Sequence, residues 1–431
     1  MQYISTNKKS DAVDFKTALL TGLAPDGGLF MPEVIPKLTP DTINRLPEMT
    51  FHEIAFAILA PFIDEEIPEP KLREIIEKAF NFEVPITPLK DKISIVELYH
   101  GPTLAFKDFA ARFMAQAMAY FVQDDQVINI LVATSGDTGG AIAHAYLGLP
   151  QIKIKILYPK GKVSPLQEKQ LTTMGQNITA YEVNGTFDDC QRLVKEAFMD
   201  EKLCQELQLT SANSINIGRL IPQAIYHVYA YSRFMLKNPR AQVCVPCGNF
   251  GNLTAGLLAK RMGVPIHGFI AATNINDVVP EYLQTGKFHP RTSVQTISNA
   301  MDIGDPSNFA RMMHLYDHSL TAIQNDVVGF SLTDEETKQE IKSVFESTGT
   351  IVDPHTAVGI GAVKKCRAKT GESTEILVLS TAHPAKFKEV VEPVIGQKIE
   401  LPEQLKGVIN REKKAISIEP VLGSLLTSLN S

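Results

Sequence analysis

The sequence has little of what a membrane protein, a nucleic-acid-binding protein or a disulfide-rich protein needs. Its net charge is −6 and its pI is near 6.0, so no basic surface for nucleic acid is expected. No stretch approaches the roughly 20 apolar residues of a membrane-spanning helix, and residues 1–15 lack the apolar core of a signal peptide. The 5 cysteines have no regular spacing and favour a reducing compartment. We therefore predict a soluble cytoplasmic protein that binds neither nucleic acid nor membrane.

Common nucleotide-binding and metal-binding patterns are also missing. The chain has no GxxxxGK[ST] loop and no GxGxxG at the start of a strand–helix unit, which disfavours nucleotide hydrolysis and hydride transfer. Cys244 and Cys247 form a C-x-x-C, but they lie in the apolar run VCVPC, and no further ligands follow at zinc-site spacing. We predict a strand there and no metal.

What the sequence does contain is a repeated succession of strand, turn and helix. At 431 residues with 44% hydrophobic residues, the chain can form two or three domains. Strand-like runs alternating with helical segments predict an α/β protein whose largely parallel sheets are buried on both faces. The three clearest strands are 127–133 before TSGDTGG, 241–246 before CGNFGN, and 375–379 before STAHP, with further strands at 152–158 and 266–272.

The turns after these strands are candidate binding sites. Ligands of open α/β sheets bind beyond the carboxyl ends of the strands, where these turns would lie. In CGNFGN, closely spaced glycines let backbone N–H groups approach an anion, and the positive end of the following helix adds to the attraction. On the loop alone, a tight turn without a ligand is an equally good explanation.

A lysine at the start of a helix is the candidate nucleophile. After the turn in HGPTLAFKDF (residues 100–109), apolar residues recur every four positions from Phe109 to Phe121, which predicts a mostly buried helix. Lys107 stands at its beginning, where desolvation and the positive helix end would lower its pKa and favour the neutral amine. Such lysines form Schiff bases with carbonyl compounds. A lysine that lays its stem over apolar surface is the commoner case, so composition alone does not decide.

Eight segments, in the same order along the chain, resemble the threonine synthase family. These are fold-type II pyridoxal-phosphate enzymes related to the tryptophan synthase β subunit. The segments are GLAPDGGLFMP at 22–32, HGPTLAFKDF at 100–109, TSGDTGG at 134–140, YPKGKVSPLQEKQ from Tyr158, NSINIGR at 213–219, GNFGN at 248–252, SNAMDIGDPSN from Ser298 and TAHPAKF at 381–387.

The resemblance implies two α/β domains around a cofactor cleft, preceded by an N-terminal extension. We expect an N-terminal region over 1–98 and a catalytic region over 99–431. Within the latter we expect a smaller α/β subdomain at roughly 107–238, able to close over the substrate and shield it from water.

The resemblance also implies the residues that bind pyridoxal 5'-phosphate. Lys107 would carry the coenzyme as a Schiff base and then act as a base, and Thr381, beside Ser380, would face the pyridine nitrogen. Asp137 stands where many relatives have an asparagine that contacts the coenzyme phenolate. An ionised carboxylate would repel that oxygen, so Asp137 is protonated, turns away, or leaves the contact to a neighbour. The residues expected to cradle the coenzyme phosphate are Gly248, Asn249, Phe250, Gly251 and Asn252.

For the substrate, the resemblance points to four positions: Ser135, Thr138, Asn213 and Arg219. They match residues that bind the amino-acid carboxylate or the substrate phosphate in relatives. A guanidinium offers a bidentate fork to either group. Three lysines could add positive charge for a phosphorylated substrate, or could equally be solvated surface residues: Lys160, Lys162 and Lys386.

The implied reaction converts O-phospho-L-homoserine and water into L-threonine and phosphate, the last step of threonine biosynthesis. It proceeds by elimination at Cγ and hydration at Cβ, with the coenzyme as electron sink. A threonine or serine dehydratase, a phospho-lyase that yields a keto acid, and a scaffold without activity stay open as alternatives. The sequence leaves monomer or homodimer undecided.

Overall fold

The computed structural model describes residues 1–123 and 125–429, and its strands form three sheets. Two large sheets are built almost wholly from parallel pairs, and a short antiparallel pair, β1 with β2, lies in the N-terminal region. The strands are β1 (Tyr3–Ser5), β2 (Phe30–Pro32), β3 (Ile86–Pro88), β4 (Ile93–Glu97), β5 (Ile128–Ala133), β6 (Ile152–Pro159), β7 (Ile178–Val183), β8 (Leu209–Thr210), β9 (Gln242–Pro246), β10 (Gly268–Thr273), β11 (Val327–Ser331), β12 (Ile376–Ser380) and β13 (Ile416–Ile418).

Helices connect the strands and cover the sheets. None of the helices in the described ranges is long and apolar enough to cross a membrane. The α-helices are α1 (Phe15–Thr21), α2 (Pro40–Arg45), α3 (Phe51–Ile63), α4 (Glu69–Ala79), α5 (Lys107–Phe121), α6 (Asp137–Tyr146), α7 (Pro165–Thr172), α8 (Phe187–Met199), α9 (Glu201–Leu207), α10 (Ile217–Leu220), α11 (Ala224–Ser232), α12 (Gly251–Arg261), α13 (Val278–Thr285), α14 (Phe309–Leu315), α15 (Leu320–Asp326), α16 (Asp334–Thr348), α17 (Pro354–Thr370), α18 (Lys388–Ile395), α19 (Glu403–Ile409) and α20 (Leu422–Leu429).

The larger sheet has the strand order β11-β10-β9-β12-β4-β3, with only β3 antiparallel to its neighbour. Strands β10 and β12 are buried at every position, and helix α17 packs against the sheet, as the continuous apolar runs require. The smaller sheet, β13-β7-β6-β5-β8, is parallel throughout, and its edge strand β13 comes from the far C-terminal part of the chain.

The predicted α/β class is confirmed, and the five predicted strands are present within two residues at each end. Strands β3 and β4 belong to the larger sheet although they precede residue 98, the end predicted for the N-terminal region. Strand β13 likewise lies in the smaller sheet although it follows residue 238. Local patterns found the strands, whereas sheet membership depends on pairing between distant segments.

Candidate active site

The lysine segment is fixed by the turn that precedes α5. Asp108, which is buried, accepts hydrogen bonds from the backbone N–H of Thr103 at 2.8 Å and from its hydroxyl at 2.7 Å. A Cβ on Gly101 would lie 2.5 Å from the Asp108 carboxylate, so only glycine fits there. The N–H of Phe106 donates to the carbonyl of Thr381 at 2.9 Å. This turn places Lys107 as the first residue of α5, beside the end of β12.

Lys107 lines a pocket at the carboxyl ends of β5, β9 and β12. Burial of the amine lowers the pKa of Lys107 to about 8, an effect that Asp137 opposes and that Arg219 and Lys386 reinforce. A lysine with this pKa has a substantial neutral fraction near neutral pH and can act as nucleophile or base. The predicted lowering of its pKa is confirmed in direction.

The pocket brings together nearly all the site residues named from the sequence. Those that line it are Lys107, Ser135, Thr138, Asn213, Arg219, Gly248, Asn249, Phe250, Gly251, Asn252 and Thr381. Among the described residues, the pocket lining does not include Asp137, Lys160, Lys162 or Lys386.

The loop over residues 248–252 has no room for a side chain at Gly248. A Cβ on Gly248 would lie 2.3 Å from the carbonyl oxygen of Ala300. Phe250 has a φ of +59°, a left-handed conformation that is strained for an aromatic residue and is characteristic of functional loops. Helix α12 begins directly after it, so the first N–H groups of that helix have no intrahelical acceptor and can bind an anion.

Side chains around this loop leave one donor free. The Asn252 amide oxygen accepts from the Tyr226 hydroxyl at 2.9 Å and from Nε2 of His227 at 2.8 Å. Burial lowers the pKa of His227 to about 4, so its neutral ring donates through Nε2. Within the described residues, the buried Nδ2 of Asn252 has no partner. It can therefore donate to a ligand.

A second unpartnered donor belongs to Arg219. Its Nη1 donates to the carbonyl of Ala212 at 2.7 Å, whereas its buried Nε has no partner among the described residues. Asn213 is held nearby by a 2.9 Å bond from its Nδ2 to the carbonyl of Ala133. Burial lowers the pKa of Arg219 to about 10, which still leaves the guanidinium charged at neutral pH. An anion in the pocket would meet this charge.

The start of α6 supplies another part of the pocket wall. The Thr134 hydroxyl accepts from the N–H groups of Gly136 and Gly139, both at 2.9 Å. Gly136 has a φ of +136°, and a Cβ there would collide with Gln167. This glycine turn lets the Ser135 and Thr138 side chains line the pocket.

Asp137 faces away from this wall and into a buried ion pair. Its Oδ1 lies 2.6 Å from Nζ of Lys386 and accepts from Nε2 of Gln167 at 3.0 Å. Burial alone would raise the pKa of Asp137, but the charges of Lys386 and Lys107 lower it well below its usual range. Asp137 is thus an ionised carboxylate with a neutralising partner, which argues against the protonated alternative. A direct coenzyme contact of Asp137 stays a prediction.

Lys386 is fully buried, so its interpretation as a solvated surface lysine is wrong. Its ammonium also donates to the carbonyl of Thr103 at 2.9 Å. Lys160 and Lys162 are exposed, and Nζ of Lys160 lies 3.8 Å from Oε2 of Glu182. Only a tertiary contact with Asp137 could distinguish Lys386 from the other two.

Four pocket residues lie outside every segment named in the sequence analysis: Phe187, Gln191, Gln223 and His355. The first two lie at the start of α8, which follows β7 and the turn Asn184–Gly185, so the same strand–turn–helix pattern was present there. Gln223 lies between helices. His355 had a usable signal, since Asp353 and Pro354 together mark a helix start with a histidine in its first turn.

The residues present fit pyridoxal phosphate. The amine of Lys107 could bind its aldehyde, and the tight backbone of residues 248–252 with the start of α12 could hold its phosphate. Among the described residues, the unpartnered Nδ2 of Asn252 adds a donor at this loop, and the unpartnered Nε of Arg219 offers a bond to a further anionic group. A pocket with one anion site at its loop and a further donor on Arg219 suits a coenzyme and a charged substrate together.

Comparisons with known proteins agree over the whole chain. Residues 2–80 match the model of the threonine synthase N terminus, 85–382 that of pyridoxal-phosphate dependent enzymes, and 356–424 that of the threonine synthase C-terminal region. The threonine synthase of Haemophilus influenzae is 46% identical over 406 residues, which are 94% of each chain.

Solved structures give the same result. The crystal structure of threonine synthase from Escherichia coli is 40% identical, covers 100% of both chains and has a TM-score of 0.94. The structure of threonine synthase with bound pyridoxal phosphate from Brucella melitensis is 35% identical, covers 100% of this chain and 98% of its own, and has a TM-score of 0.92. The chain therefore belongs to the threonine synthase family of pyridoxal-phosphate-dependent enzymes.

Proposed function

We propose that this protein converts O-phospho-L-homoserine and water into L-threonine and phosphate, the last step of threonine biosynthesis. One observation carries the proposal, together with the family: an amine of lowered pKa, an anion-binding loop and two unpartnered donors line a single pocket. The coenzyme and this substrate each bring a phosphate. The loop, with the side chain of Asn252, accounts for one of them, and Arg219 accounts for the other.

Lys107 would hold the coenzyme covalently and, once released, would move protons. Pyridoxal phosphate, when bound, withdraws electrons from the substrate Cα. The Lys107 amine then accepts the proton from Cα and takes part in proton transfer at Cβ, which allows phosphate to leave from Cγ before water adds at Cβ. Its pKa of about 8 favours this exchange near neutral pH.

The remaining pocket residues bind and orient. Residues 248–252 would hold the coenzyme phosphate through backbone N–H groups, and the Thr381 hydroxyl would face the pyridine nitrogen, which a neutral hydroxyl would leave unprotonated. Arg219 binds the leaving phosphate. Ser135 and Thr138 at the start of α6, with Asn213, bind the substrate carboxylate. Asp137 acts on the coenzyme lysine through its charge, balanced by Lys386.

The proposal extends to organisation and location. We retain an N-terminal region over 1–98 and a catalytic region over 99–431, with a smaller subdomain near 107–238 that closes over the substrate. We propose a monomer or homodimer in the cytoplasm. The irregular spacing of the 5 cysteines supports a reducing compartment.

The test supplies purified protein with O-phospho-L-homoserine and measures phosphate, threonine and keto acid. Equal yields of phosphate and threonine are expected. Keto acid with phosphate would indicate a phospho-lyase, keto acid from threonine a dehydratase, and no product an inactive scaffold. Borohydride reduction followed by peptide mapping should place the coenzyme on Lys107, and an adduct on another lysine would refute the assignment.

A further inference from the structure

A buried carboxylate behind the pocket uses both of its oxygens. Asp353 is fully buried at the start of α17. Its Oδ2 accepts from the backbone N–H of His355 at 2.9 Å and lies 2.6 Å from the ring Nδ1 of His355. Its Oδ1 accepts from the N–H of Thr356 at 3.1 Å and from the Thr356 hydroxyl. The two oxygens thus connect Asp353 to two neighbours, Oδ2 to His355 and Oδ1 to Thr356.

The first connection runs through the His355 ring, which lines the pocket. Its Nε2 accepts a hydrogen bond from the backbone N–H of Ala300 at 3.2 Å. A backbone N–H can only donate, so Nε2 is the unprotonated nitrogen and Nδ1 carries the proton toward Asp353. The carboxylate therefore selects the tautomer that can hold Ala300.

Ala300 in turn lies against the phosphate loop. Its carbonyl oxygen is 2.3 Å from the place that a Cβ on Gly248 would occupy, so the two backbones are in direct contact. Any shift of Ala300 would change the shape of the loop. Asp353, His355 and Ala300 form one line of contacts that ends at Gly248.

The second connection reaches the strand end that carries Thr381. The Thr356 hydroxyl lies 2.7 Å from the hydroxyl of Ser380, which is buried at the end of β12. Ser380 directly precedes Thr381, the residue assigned to the pyridine nitrogen. The same carboxylate is thus connected to both ends of the coenzyme site.

We propose that Asp353 is a positioning residue that sets both the phosphate loop, through His355 and Ala300, and the Thr381 segment, through Thr356 and Ser380. The inference rests on the proposed function in so far as this pocket holds pyridoxal phosphate. A simpler role exists, because Asp353 caps α17. Asparagine caps helices about as well as aspartate, so the two roles can be separated by substitution.

The decisive variant is Asp353→Asn. Its amide offers one acceptor and one donor group, so it cannot accept from both His355 and Thr356. If the amide nitrogen faces His355, the ring proton moves to Nε2 and opposes the Ala300 N–H. We expect the dissociation constant of pyridoxal phosphate from the apoprotein to rise about 10- to 100-fold, as outer-shell substitutions do at metal sites. The thermal midpoint of the apoprotein should change little.

His355→Phe and His355→Gln supply an independent test that leaves the cap carboxylate in place. Phenylalanine keeps the packing against Phe387, whose ring centroid is 4.9 Å away, but it cannot hold Ala300. Glutamine offers a donor for Asp353 and an acceptor for Ala300. We expect His355→Phe to weaken coenzyme binding as Asp353→Asn does, and His355→Gln to restore part of the loss. The double variant Asp353→Asn/His355→Phe should bind pyridoxal phosphate no more weakly than the weaker of its two single variants.

The outcomes separate this inference from the proposed function. Wild-type protein that fails to bind pyridoxal phosphate would overturn the proposed function. If Asp353→Asn and His355→Phe both bind pyridoxal phosphate as tightly as the wild type, Asp353 is only a helix cap. That result would refute the positioning role. If Asp353→Asn unfolds, the His355 pair alone decides, since unchanged coenzyme affinity in His355→Phe contradicts the proposal.

Discussion

The site has a lysine side and a loop side. On the lysine side, Lys107 lines the pocket and the buried ion pair of Asp137 and Lys386 acts on its charge; the loop side is formed by residues 248–252. On the lysine side, charged side chains are buried close together, and each alters the pKa of another. On the loop side, backbone groups in close contact with Ala300 shape the site. The lysine side should therefore respond to changes of charge, and the loop side to changes of volume.

Removing the amine tests the lysine side most severely. Lys107→Ala should lower turnover by at least about 10³-fold, because the variant loses both covalent coenzyme attachment and the catalytic base. Turnover and the absorbance of the bound coenzyme measure both effects. Lys90→Ala, at an exposed lysine, is the matched control and should keep full activity. Retention of a tenth of wild-type turnover by Lys107→Ala would remove it from the mechanism.

Breaking the buried ion pair should have the next largest effect. Asp137→Asn or Lys386→Met each leaves a charge buried without its partner, at a cost of about 3–5 kcal/mol in the free energy of unfolding. The double variant should lose at least about 1 kcal/mol less than the sum of the two.

Denaturant unfolding measures these values. Glu346→Gln, in an exposed pair 3.8 Å from Lys342, is the control and should change stability by less than about 0.5 kcal/mol. Additive single effects would contradict a coupled pair.

On the loop side, a methyl group should be enough to disturb the site. Gly248→Ala would place a Cβ 2.3 Å from the Ala300 oxygen, and the strain should cost about 1–3 kcal/mol and weaken coenzyme binding. Gly407→Ala, within α19 and with nothing inside 4 Å of the new Cβ, should be neutral or stabilising. Coenzyme titration of the two apoproteins provides the comparison. Equal affinities would show that the loop tolerates added volume.

The smallest expected effect is a pH dependence on the lysine side. Lys107, with its pKa lowered from 10.5 to about 8, loses its proton in the folded apoprotein before it does in the unfolded chain. Stability therefore rises between about pH 8 and 10.5, where the unfolded state binds more protons. Covalent coenzyme attachment should also become faster as pH rises through about 8.

Neighbouring charges should shift the pH midpoint of coenzyme attachment. Asp137→Asn removes a charge that raises the pKa of Lys107, so the midpoint should fall, and Lys386→Met should raise it. Stopped-flow absorbance at several pH values gives the midpoints. A midpoint that neither substitution moves would show that the lysine side is not electrostatically coupled.

Much of the loop side could be predicted from sequence because its signals are local. Closely spaced glycines after an apolar run mark a turn beyond a strand, and parallel strands bring such turns to one edge of a sheet. Only part of the lysine side could be predicted from the sequence. Lys107 could be found from its helix and from the family resemblance, whereas Lys386 resembled two exposed lysines, because nothing nearby in sequence indicates its burial against Asp137.

The sequence by itself determined the α/β class, the positions of the strands and glycine turns, the candidate coenzyme lysine and the family. Each depends on short-range periodicity or on ordered motifs. Only the tertiary structure decided that Asp137 is paired with Lys386, that Asp353 connects His355 to Ser380, and that Arg219 and Asn252 have donors without a partner in the part of the chain that the structure describes. These features depend on burial and on contacts between residues far apart in the chain, and local sequence patterns carry no record of either.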